Sequence, residues 1–463
     1  MQSMADEKTF TKEFRESLEN KRLGSNFLGI LNDIKRRPSD AAKELEISNE
    51  EIQDIINGKI MLPSEIVSKA IKIWPVNTRD FYIMHDDCPN GLKIMRCEDS
   101  VKSSRIMHRA GKPYYEYRDT AMSSVGPFRP EWIEQLCIVD DNEPSNKQVQ
   151  WNNGHFMHQF TYFIGDVNFY YINENGEKKV AIMNTGDSNY ITPFVPHSFA
   201  TRKGAKKNGL ILALTYGNNL SGDSQHELSS VGKKLGKEFA LDFSSKKSAS
   251  SSLIKFHRNN SSLTLHELSK RTNLHIEKLR DFENGKIPAY SEYAILAECF
   301  NVNIRDLLPY DKISNKVVVQ LHKNTEKWFY PEDTKNYELV ELANSSSLPY
   351  SKALEINILN ENDKTLDLKI GLHQYGYNIG DTDVSISYES EDGLKTDIIK
   401  PGDSFYLKPF VEHNFRGKAK ILILRISGKI TGEPQRELSL IGQKKITRVI
   451  NESLQWFDAK GKN

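Results

Sequence analysis

The feature that most constrains the fold of this chain is an internal duplication. Three segments occur twice, in the same order and with nearly constant spacing, along the 463 residues. The matching pairs are 47–59 (ISNEEIQDIINGK) with 274–286 (LHIEKLRDFENGK), 158–166 (HQFTYFIGD) with 373–381 (HQYGYNIGD), and 186–199 (GDSNYITPFVPHSF) with 402–415 (GDSFYLKPFVEHNF). Because the order is the same in both halves, the chain is predicted to be a tandem repeat of one unit.

Each half begins with short amphipathic helical patterns and continues with aromatic and β-branched runs punctuated by Gly, Asn and Asp. This pattern predicts an α+β fold, with a helical unit before a β domain in each copy. The polar, low-complexity stretch 244–252 (SSKKSASSS) is predicted to link the copies. The expected units are helical unit 1 (1–100), β domain 1 (101–243), the linker with helical unit 2 (244–312), and β domain 2 (313–463).

Composition excludes several classes of protein. Lys and Arg total 63 against 62 Asp and Glu, so the net charge of +1 provides no general attraction to nucleic acid or anionic membranes. The four cysteines are far apart and form neither a close metal-binding pair nor a disulfide framework. The first residues lack the apolar core of a signal peptide, and no apolar stretch approaches the length of a membrane span. A cytoplasmic protein is therefore expected.

The helical units resemble the helix-turn-helix units of phage-repressor-like proteins, with Asn-Gly-Lys closing a helix. A DNA-reading helix needs groove-facing donors and nearby phosphate contacts. In the first copy that helix carries Glu50, Glu51 and Asp54. A scaffolding role is therefore favoured over DNA binding. Lys35 stands apart, because its counterpart in the second copy is Ser262.

The β domains resemble the cupin family, small antiparallel barrels that hold a metal with His residues and usually a carboxylate. The resemblance covers most of both halves and depends on a Gly-His start at His155, a central Gly165, and the Gly-Asp-Ser to Pro-x-x-Pro-His run ending at His197. Within a strand, alternate side chains share a face. His155 and Gln159 are therefore expected to point together, and Ile191 and His197 to share a face of a second strand.

The second copy serves as an internal comparison for this candidate site. His155 is replaced there by Ile370, whereas Gln374 and His413 remain. We therefore expect one metal site, formed by His155, Gln159 and His197, and a degenerate second site. The alternative is that these histidines are hydrogen-bonded core residues.

Two such barrels with one intact site resemble the 2-hydroxyethylphosphonate dioxygenase and methylphosphonate synthase group of non-haem iron enzymes. The group cleaves the carbon–carbon bond of 2-hydroxyethylphosphonate with O2, so the resemblance implies Fe(II) as cofactor. In the dioxygenase branch a Glu ligand lies six residues before the second His, where this chain has Ile191. Gln159 would then complete the ligand set, as in the methylphosphonate-forming branch, with methylphosphonate and bicarbonate or CO2 as products.

The resemblance also implies a set of phosphonate-binding residues. They are an Arg with a Tyr eight residues later, an Asn three residues before the first His, and a Lys from the helical unit. This chain has them as Arg109, Tyr117, Asn152 and Lys35. An Arg offers charge and planar donors to a phosphonate oxygen, and the others offer single donors.

Three alternatives to this function remain open from the sequence. The first is the dioxygenase outcome, hydroxymethylphosphonate plus formate. The second is a transcription regulator that joins a helix-turn-helix unit to a cupin barrel, and the third is a metal-free structural protein. A homo-oligomer is expected, and Lys35 acts either in its own subunit or in a neighbour.

Overall fold

The computed structural model describes residues 2–217, 220–310, 316–346 and 350–450, together with 454 and 456, and side chains from residue 16 onward. Helices and antiparallel sheets alternate along the chain, so the fold is α+β, as predicted. None of the described helices is both long and apolar enough to cross a membrane.

The first half contains a helical unit, a set of strands and a short helical arm. Ser48 caps the third helix by accepting a hydrogen bond from the Glu51 backbone N–H, and Phe27, Ile52 and Val67 are buried in the core of the unit. The elements are α1 Gln2–Asp33, α2 Pro38–Leu45, α3 Asn49–Ile56, α4 Ser64–Ile73, β1 Leu92–Met95, α5 Cys97–Lys102, β2 Arg105–Arg109, β3 Lys112–Asp119, β4 Arg129–Gln135, β5 His158–Ile164, β6 Val167–Ile172, β7 Lys178–Met183, β8 Ser188–Ile191, β9 His197–Thr201, β10 Gly209–Tyr216, α6 Asp223–Val231 and α7 Lys233–Gly236.

The second half repeats this order. Its elements are α8 Lys246–Asn260, α9 Leu265–Thr272, α10 Ile276–Glu283, α11 Tyr290–Phe300, β11 Val317–Gln320, β12 Lys327–Tyr330, β13 Tyr337–Glu341, β14 Ser351–Ile358, β15 His373–Asn378, β16 Val384–Ser390, β17 Gly393–Ile399, β18 Ser404–Leu407, β19 His413–Arg416, β20 Lys420–Ile426, α12 Glu433–Ile441 and α13 Gln443–Ile450. Short 3-10 turns lie at Thr78–Phe81, Lys237–Phe239, Ile304–Asp306 and His322–Asn324.

The linker predicted at 244–252 is wrong for most of its length, because α8 begins within it. Ser245 caps this helix by accepting a hydrogen bond from the Ser248 N–H. Ala249 and Ser250 are buried, and the Ser250 hydroxyl bonds that of Tyr293 on α11 at 2.5 Å. Small side chains that suggest a flexible connection instead allow the helix to pack closely.

Within the described residues, the strands form two seven-stranded and two three-stranded antiparallel sheets, one of each kind for each repeat. The first large sheet has the order β11-β8-β5-β10-β4-β3-β2, and the second has the equivalent order β1-β18-β15-β20-β14-β13-β12. The small sheets are β7-β6-β9 and β17-β16-β19. We call the large and small sheets that include β5 and β6 the first β domain, and those that include β15 and β16 the second.

The two halves exchange their edge strands. Strand β1 precedes the first β domain in sequence but pairs with β18 of the second, and β11 pairs with β8 of the first. The expected boundaries place β1 in helical unit 1 and β11 in β domain 2, so neither strand was expected in the sheet that it joins. The boundary at 312/313 lies outside the described residues. A four-residue strand has too little periodicity to reveal its distant partner.

The large sheets also pack against each other through one continuous core. Buried aromatic residues from both halves meet there, including Tyr162, Tyr190 and Tyr375. At its edge the Tyr162 hydroxyl donates to Glu355 Oε2 at 2.6 Å, and both residues are 1% exposed. Lys420 Nζ lies 2.9 Å from the other carboxylate oxygen, so a buried charge joins the halves.

Candidate metal centre

Two imidazoles with anchored Nδ1 atoms lie at the mouth of the first β domain. His155 lies just before β5 and donates from Nδ1 to the Met157 carbonyl at 2.8 Å. His197, the first residue of β9, donates from Nδ1 to the Val195 carbonyl at 2.8 Å. A carbonyl oxygen only accepts, so in each neutral ring the Nε2 atom carries a lone pair. The ring centroids are 5.2 Å apart, and backbone anchoring of this kind is typical of metal-binding histidines.

Gln159 supplies a third donor at the same place. Its Oε1 lies 3.2 Å from His155 Nε2, while its Nε2 donates to Thr161 Oγ1 at 3.0 Å. When the His155 ring is neutral, two lone pairs therefore face each other across this short distance, an arrangement that a cation stabilises. In the part of the chain that the structure describes, no three His, Cys, Asp or Glu side chains form a metal site. A metal at this place would instead be bound by the two imidazole nitrogens of His155 and His197 and the amide oxygen of Gln159, and these donors fit a metal ion.

Burial keeps one of these imidazoles neutral. His197 is 4% exposed, and this burial lowers its pKa to about 4 despite the hydrogen bond to Val195, which raises it. The nearby His155 and Arg109 lower the pKa further. At neutral pH His197 is therefore in the neutral form that can bind a metal.

Asn152 is adjacent to this centre. Its Oδ1 accepts hydrogen bonds from the backbone N–H of His197 at 2.9 Å and of Gly154 at 3.0 Å. Its Nδ2 consequently points inward and donates to His197 Nε2 at 3.0 Å. The side chain is thus held with its donor directed at the metal-facing side.

Arg109 and Tyr117 belong to an aromatic group beside His197. The Arg109 guanidinium donates to the Gln150 carbonyl at 2.7 Å and lies 4.8 Å from the ring centroid of Tyr115. Tyr117 packs edge-on against Tyr115, with ring centroids 6.0 Å apart, and burial raises the pKa of the Tyr117 hydroxyl. The structure thus brings Arg109 close to the centre and keeps Tyr117 protonated.

Ile191 lies directly opposite Gln159 in the pairing of β5 with β8 and is 0% exposed. The continuous strand expected through 191–197 is wrong, because β8 ends at Ile191 and β9 begins at His197 in the other sheet. Between them Phe194 adopts a φ of 65° and donates its N–H to the His155 carbonyl at 2.8 Å. This turn, rather than strand alternation, positions His197.

Lys35 is not brought to the centre within the chain. It lies between α1 and α2 with a φ of 59°, and its Nζ donates to the carbonyls of Asn32 at 3.1 Å and Asp33 at 3.2 Å. The ammonium also lies 4.1 Å from a ring centroid of Trp456. None of these contacts involves the three candidate ligands.

The second β domain holds a different arrangement at the equivalent place. Phe410 donates to the Ile370 carbonyl at 2.7 Å, as Phe194 does to His155, so Ile370 is the structural counterpart of His155. Gln374 Oε1 accepts a hydrogen bond from Arg425 Nε at 3.0 Å. Burial lowers the pKa of Arg425 to about 10, yet the group stays charged at neutral pH. In the second β domain the Gln374 oxygen thus accepts from a guanidinium instead of facing an imidazole.

Strand register identifies the second-copy counterparts of Tyr115 and Tyr117. Tyr337 exchanges hydrogen bonds with the Phe415 backbone just as Tyr115 does with that of Phe199, so Tyr337 corresponds to Tyr115 and not to Tyr117. The counterpart of Tyr117 is Leu339, which follows Tyr337 by two residues as Tyr117 follows Tyr115.

The same register shows that Phe329 is not the counterpart of Arg109. Tyr330 pairs with Tyr337 as Met107 pairs with Tyr115. Phe329 is therefore the second-copy equivalent of Ile106. The β-bulge after Met107 separates Arg109 from that register.

Sequence reasoning missed Thr161, Asn189 and Arg425. Thr161 accepts a hydrogen bond from the amide of Gln159, and Asn189 lies opposite Thr161 in the neighbouring strand. Arg425 lies opposite Gln374, at the position where the first domain has Thr215 opposite Gln159. A position-by-position comparison of the two repeats would have drawn attention to each of them.

Comparison with known proteins identifies relatives along nearly the whole chain. No family model matches. The methylphosphonate synthase of Nitrosopumilus maritimus (strain SCM1) is 58% identical over 443 residues, which cover 96% of this chain and 97% of that protein. Such similarity over 96% of the chain, together with its two β domains, defines the class as an iron oxygenase. The chain belongs to the methylphosphonate synthase family.

Solved structures agree with this assignment. Streptomyces albus 2-hydroxyethylphosphonate dioxygenase, solved with 2-hydroxyethylphosphonate and Fe(II) bound, is 33% identical. It superposes with a TM-score of 0.87, covering 95% of this chain and 99% of that one. PhpD, solved with cadmium and complexed with hydroethylphosphonate, is 18% identical and has a TM-score of 0.72. The match covers 94% of this chain and 99% of that chain, and it shows the shared fold alone.

Proposed function

We propose that this chain uses Fe(II) and O2 to cleave the carbon–carbon bond of 2-hydroxyethylphosphonate, releasing methylphosphonate and bicarbonate. The atoms balance, because the substrate plus one O2 equals methylphosphonic acid plus carbonic acid, and no external reductant is needed. Family membership and the 2-hydroxyethylphosphonate and Fe(II) bound to the S. albus relative support the substrate and the metal.

In this proposal His155, Gln159 and His197 hold the ferrous ion. The observation that carries it is the convergence of His155 Nε2 and Gln159 Oε1 at 3.2 Å with their lone pairs facing. Nitrogen and oxygen ligands with open positions suit ferrous iron. When bound, the iron would supply the redox chemistry that activates O2.

The chain's own residues would hold the phosphonate. Arg109 supplies a guanidinium whose planar donors match phosphonate oxygens, and Asn152 offers an amide N–H fixed by two backbone bonds. Tyr117 remains a neutral hydroxyl donor. Lys35 would reach the same group only by a movement of the helical unit or from a neighbouring subunit.

The product branch depends on Ile191. This side chain lies opposite Gln159 and is fully buried, so no carboxylate enters the ligand set from β8. The ion then keeps one more unit of positive charge than with a Glu ligand. The 58% identity to a methylphosphonate synthase favours methylphosphonate, whereas the relative at 33% identity is a dioxygenase.

The deciding experiment is anaerobic reconstitution of the full chain with Fe(II), followed by 2-hydroxyethylphosphonate and O2 and phosphorus NMR of the products. Methylphosphonate as the major product supports the proposal. Hydroxymethylphosphonate with formate as the sole products would instead establish the dioxygenase reaction. A chain that takes up no stoichiometric iron would be a metal-free structural protein.

We further propose that the β domains are cupin barrels and that each helical unit is a helix-turn-helix-like scaffold. A transcription regulator would need free basic groups on the second helix, but Arg280 pairs with Glu277 at 2.5 Å and Lys278 pairs with Glu292. A cytoplasmic location suits the four free cysteines. A homo-oligomer would cover Leu440, which is 89% exposed on α12.

A further inference from the structure

The amide of Gln159 has two chemically different ends, and only its oxygen can bind a metal. The nitrogen end contacts the Thr161 hydroxyl at 3.0 Å. A hydroxyl can donate as well as accept, so this contact by itself would tolerate a flipped amide. A flipped Gln159 would present N–H groups to His155 Nε2 and exclude a cation. The direction of the Thr161 hydroxyl proton therefore decides whether the site can form.

Asn189 is positioned to take that proton. It pairs directly with Thr161 in the register of β5 with β8, and both residues are 0% exposed. It lies two residues from Ile191 and therefore on the same inner face of the strand. Neither polar atom of its side chain has a hydrogen-bond partner among the described residues. Leaving such a buried amide unpaired is unfavourable, and a hydrogen bond from the buried Thr161 hydroxyl to the amide oxygen would recover much of the loss.

We propose that Thr161, supported by Asn189, is a positioning residue that commits Gln159 to present its oxygen to the metal. The Thr161 O–H donates to Asn189 Oδ1 through one buried water. Its oxygen is then available only as an acceptor, so Gln159 must turn its NH2 toward Thr161 and its Oε1 toward His155. This inference rests on the proposed metal site and adds the device that orients its neutral ligand.

The degenerate copy lacks both parts of the device. In the second β domain the equivalent strand pair places Gly376 opposite Phe405, where the first has Thr161 opposite Asn189. Gln374 persists there, but its oxygen is taken by Arg425. The hydroxyl and the amide are thus present together where His155 and Gln159 converge, and absent together where Arg425 binds the Gln374 oxygen.

Anaerobic titration of the metal-free full chain with Co(II) tests this inference, with the visible ligand-field bands as the readout. Thr161→Val removes the hydroxyl at constant shape and should weaken Co(II) binding about 10- to 100-fold, the usual effect of losing a partner that orients a ligand. Thr161→Ser keeps the hydroxyl and should restore binding to within about threefold of the parent. Asn189→Leu should weaken binding in the same direction as Thr161→Val.

Thr120→Val is the matched control, because Thr120 is 3% exposed and donates to the Pro130 carbonyl at 2.9 Å without touching the ligands. It should lose thermal stability as Thr161→Val does, yet keep the Co(II) affinity and spectrum. Parent-like affinity in Thr161→Val, or equal loss in the Ser and Val variants, would overturn the inference. If His155→Ala also binds like the parent, the metal site itself is wrong; if only His155→Ala loses binding, the positioning role alone fails.

Discussion

Removing one hydroxyl at the junction of the two halves should measurably destabilise the whole chain. Tyr162→Phe deletes the hydrogen bond to Glu355, which joins two residues that are each 1% exposed. A hydrogen bond to a buried charged group contributes about 1.5–3 kcal/mol. With an unfolding entropy of about 2.1 cal/mol/K per residue, 463 residues give about 1 kcal/mol/K, so Tm should fall by about 2 °C. If one half unfolds separately, the expected fall is about 4 °C.

Scanning calorimetry of the parent and the variant measures this difference. Tyr377→Phe is the control, since Tyr377 occupies the equivalent strand position, is 4% exposed, and its hydroxyl has no hydrogen-bond partner among the described residues. Tyr377→Phe should lower the free energy of unfolding by less than about 1 kcal/mol, the typical net contribution of a neutral hydrogen bond. Equal Tm losses in the two variants would refute the idea that the Glu355 contact joins the halves.

Acid should erase the difference between parent and variant. Burial opposes ionisation of Glu355, yet hydrogen bonds from Tyr162 and Lys420 and the charges of Lys420 and His322 hold its pKa below the ordinary 4.5. A carboxyl with a depressed folded pKa stabilises the fold fully above its unfolded pKa and loses that contribution as pH falls through the folded value. The Tm gap should therefore be full at pH 7 and narrow below about pH 4. A gap that does not change with pH would contradict a role for the ionised carboxylate.

Three further predictions concern the metal. His155→Ala should abolish Fe(II) binding and turnover, whereas His413→Ala should leave both largely intact; equal losses would contradict a single working site. The double variant Ile370→His with Arg425→Thr removes the internal cation and supplies the missing imidazole. The amount of metal bound per chain should then rise from one equivalent toward two. A value that stays at one would argue that Arg425 does not take the place of a metal. Ile191→Glu should place a carboxylate beside the ion and tighten Co(II) binding, with hydroxymethylphosphonate appearing in the phosphorus NMR spectrum; unchanged affinity would show that position 191 does not reach the ion.

The duplication made the candidate site accessible from sequence. The loss of His155 in the second copy drew attention to this side chain, and the structure brings it together with Gln159 and His197. The route to that geometry was less accessible. Strand alternation predicts the direction of His155 from Gln159 and that of His197 from Ile191. In the structure His155 precedes β5, and a turn at Phe194 separates Ile191 from His197. A positive φ at a Phe carries no sequence signal, because the residue type disfavours it.

Long-range placement could not be predicted. Lys35 satisfies the family pattern by residue type, but where its ammonium lies depends on packing of α1 and α2, which periodicity does not specify. By sequence Tyr337 could match any of Tyr114, Tyr115 and Tyr117, which crowd one segment, and only strand register separates them. Thr161 was overlooked because a buried Thr on a strand is ordinary until its partner is known.

The exchanged edge strand β11 makes the second half of the chain part of the sheet that holds the candidate metal ligands. Strand β11 pairs Val317 with Ile191, and Ile191 in turn pairs with Gln159, so the second copy provides the backbone support for the first copy's ligand strand. The chain thus resembles a domain-swapped dimer fused into one polypeptide. Cutting the chain between the halves would leave an unpaired strand edge on each, so neither fragment should fold into a soluble, metal-binding protein by itself.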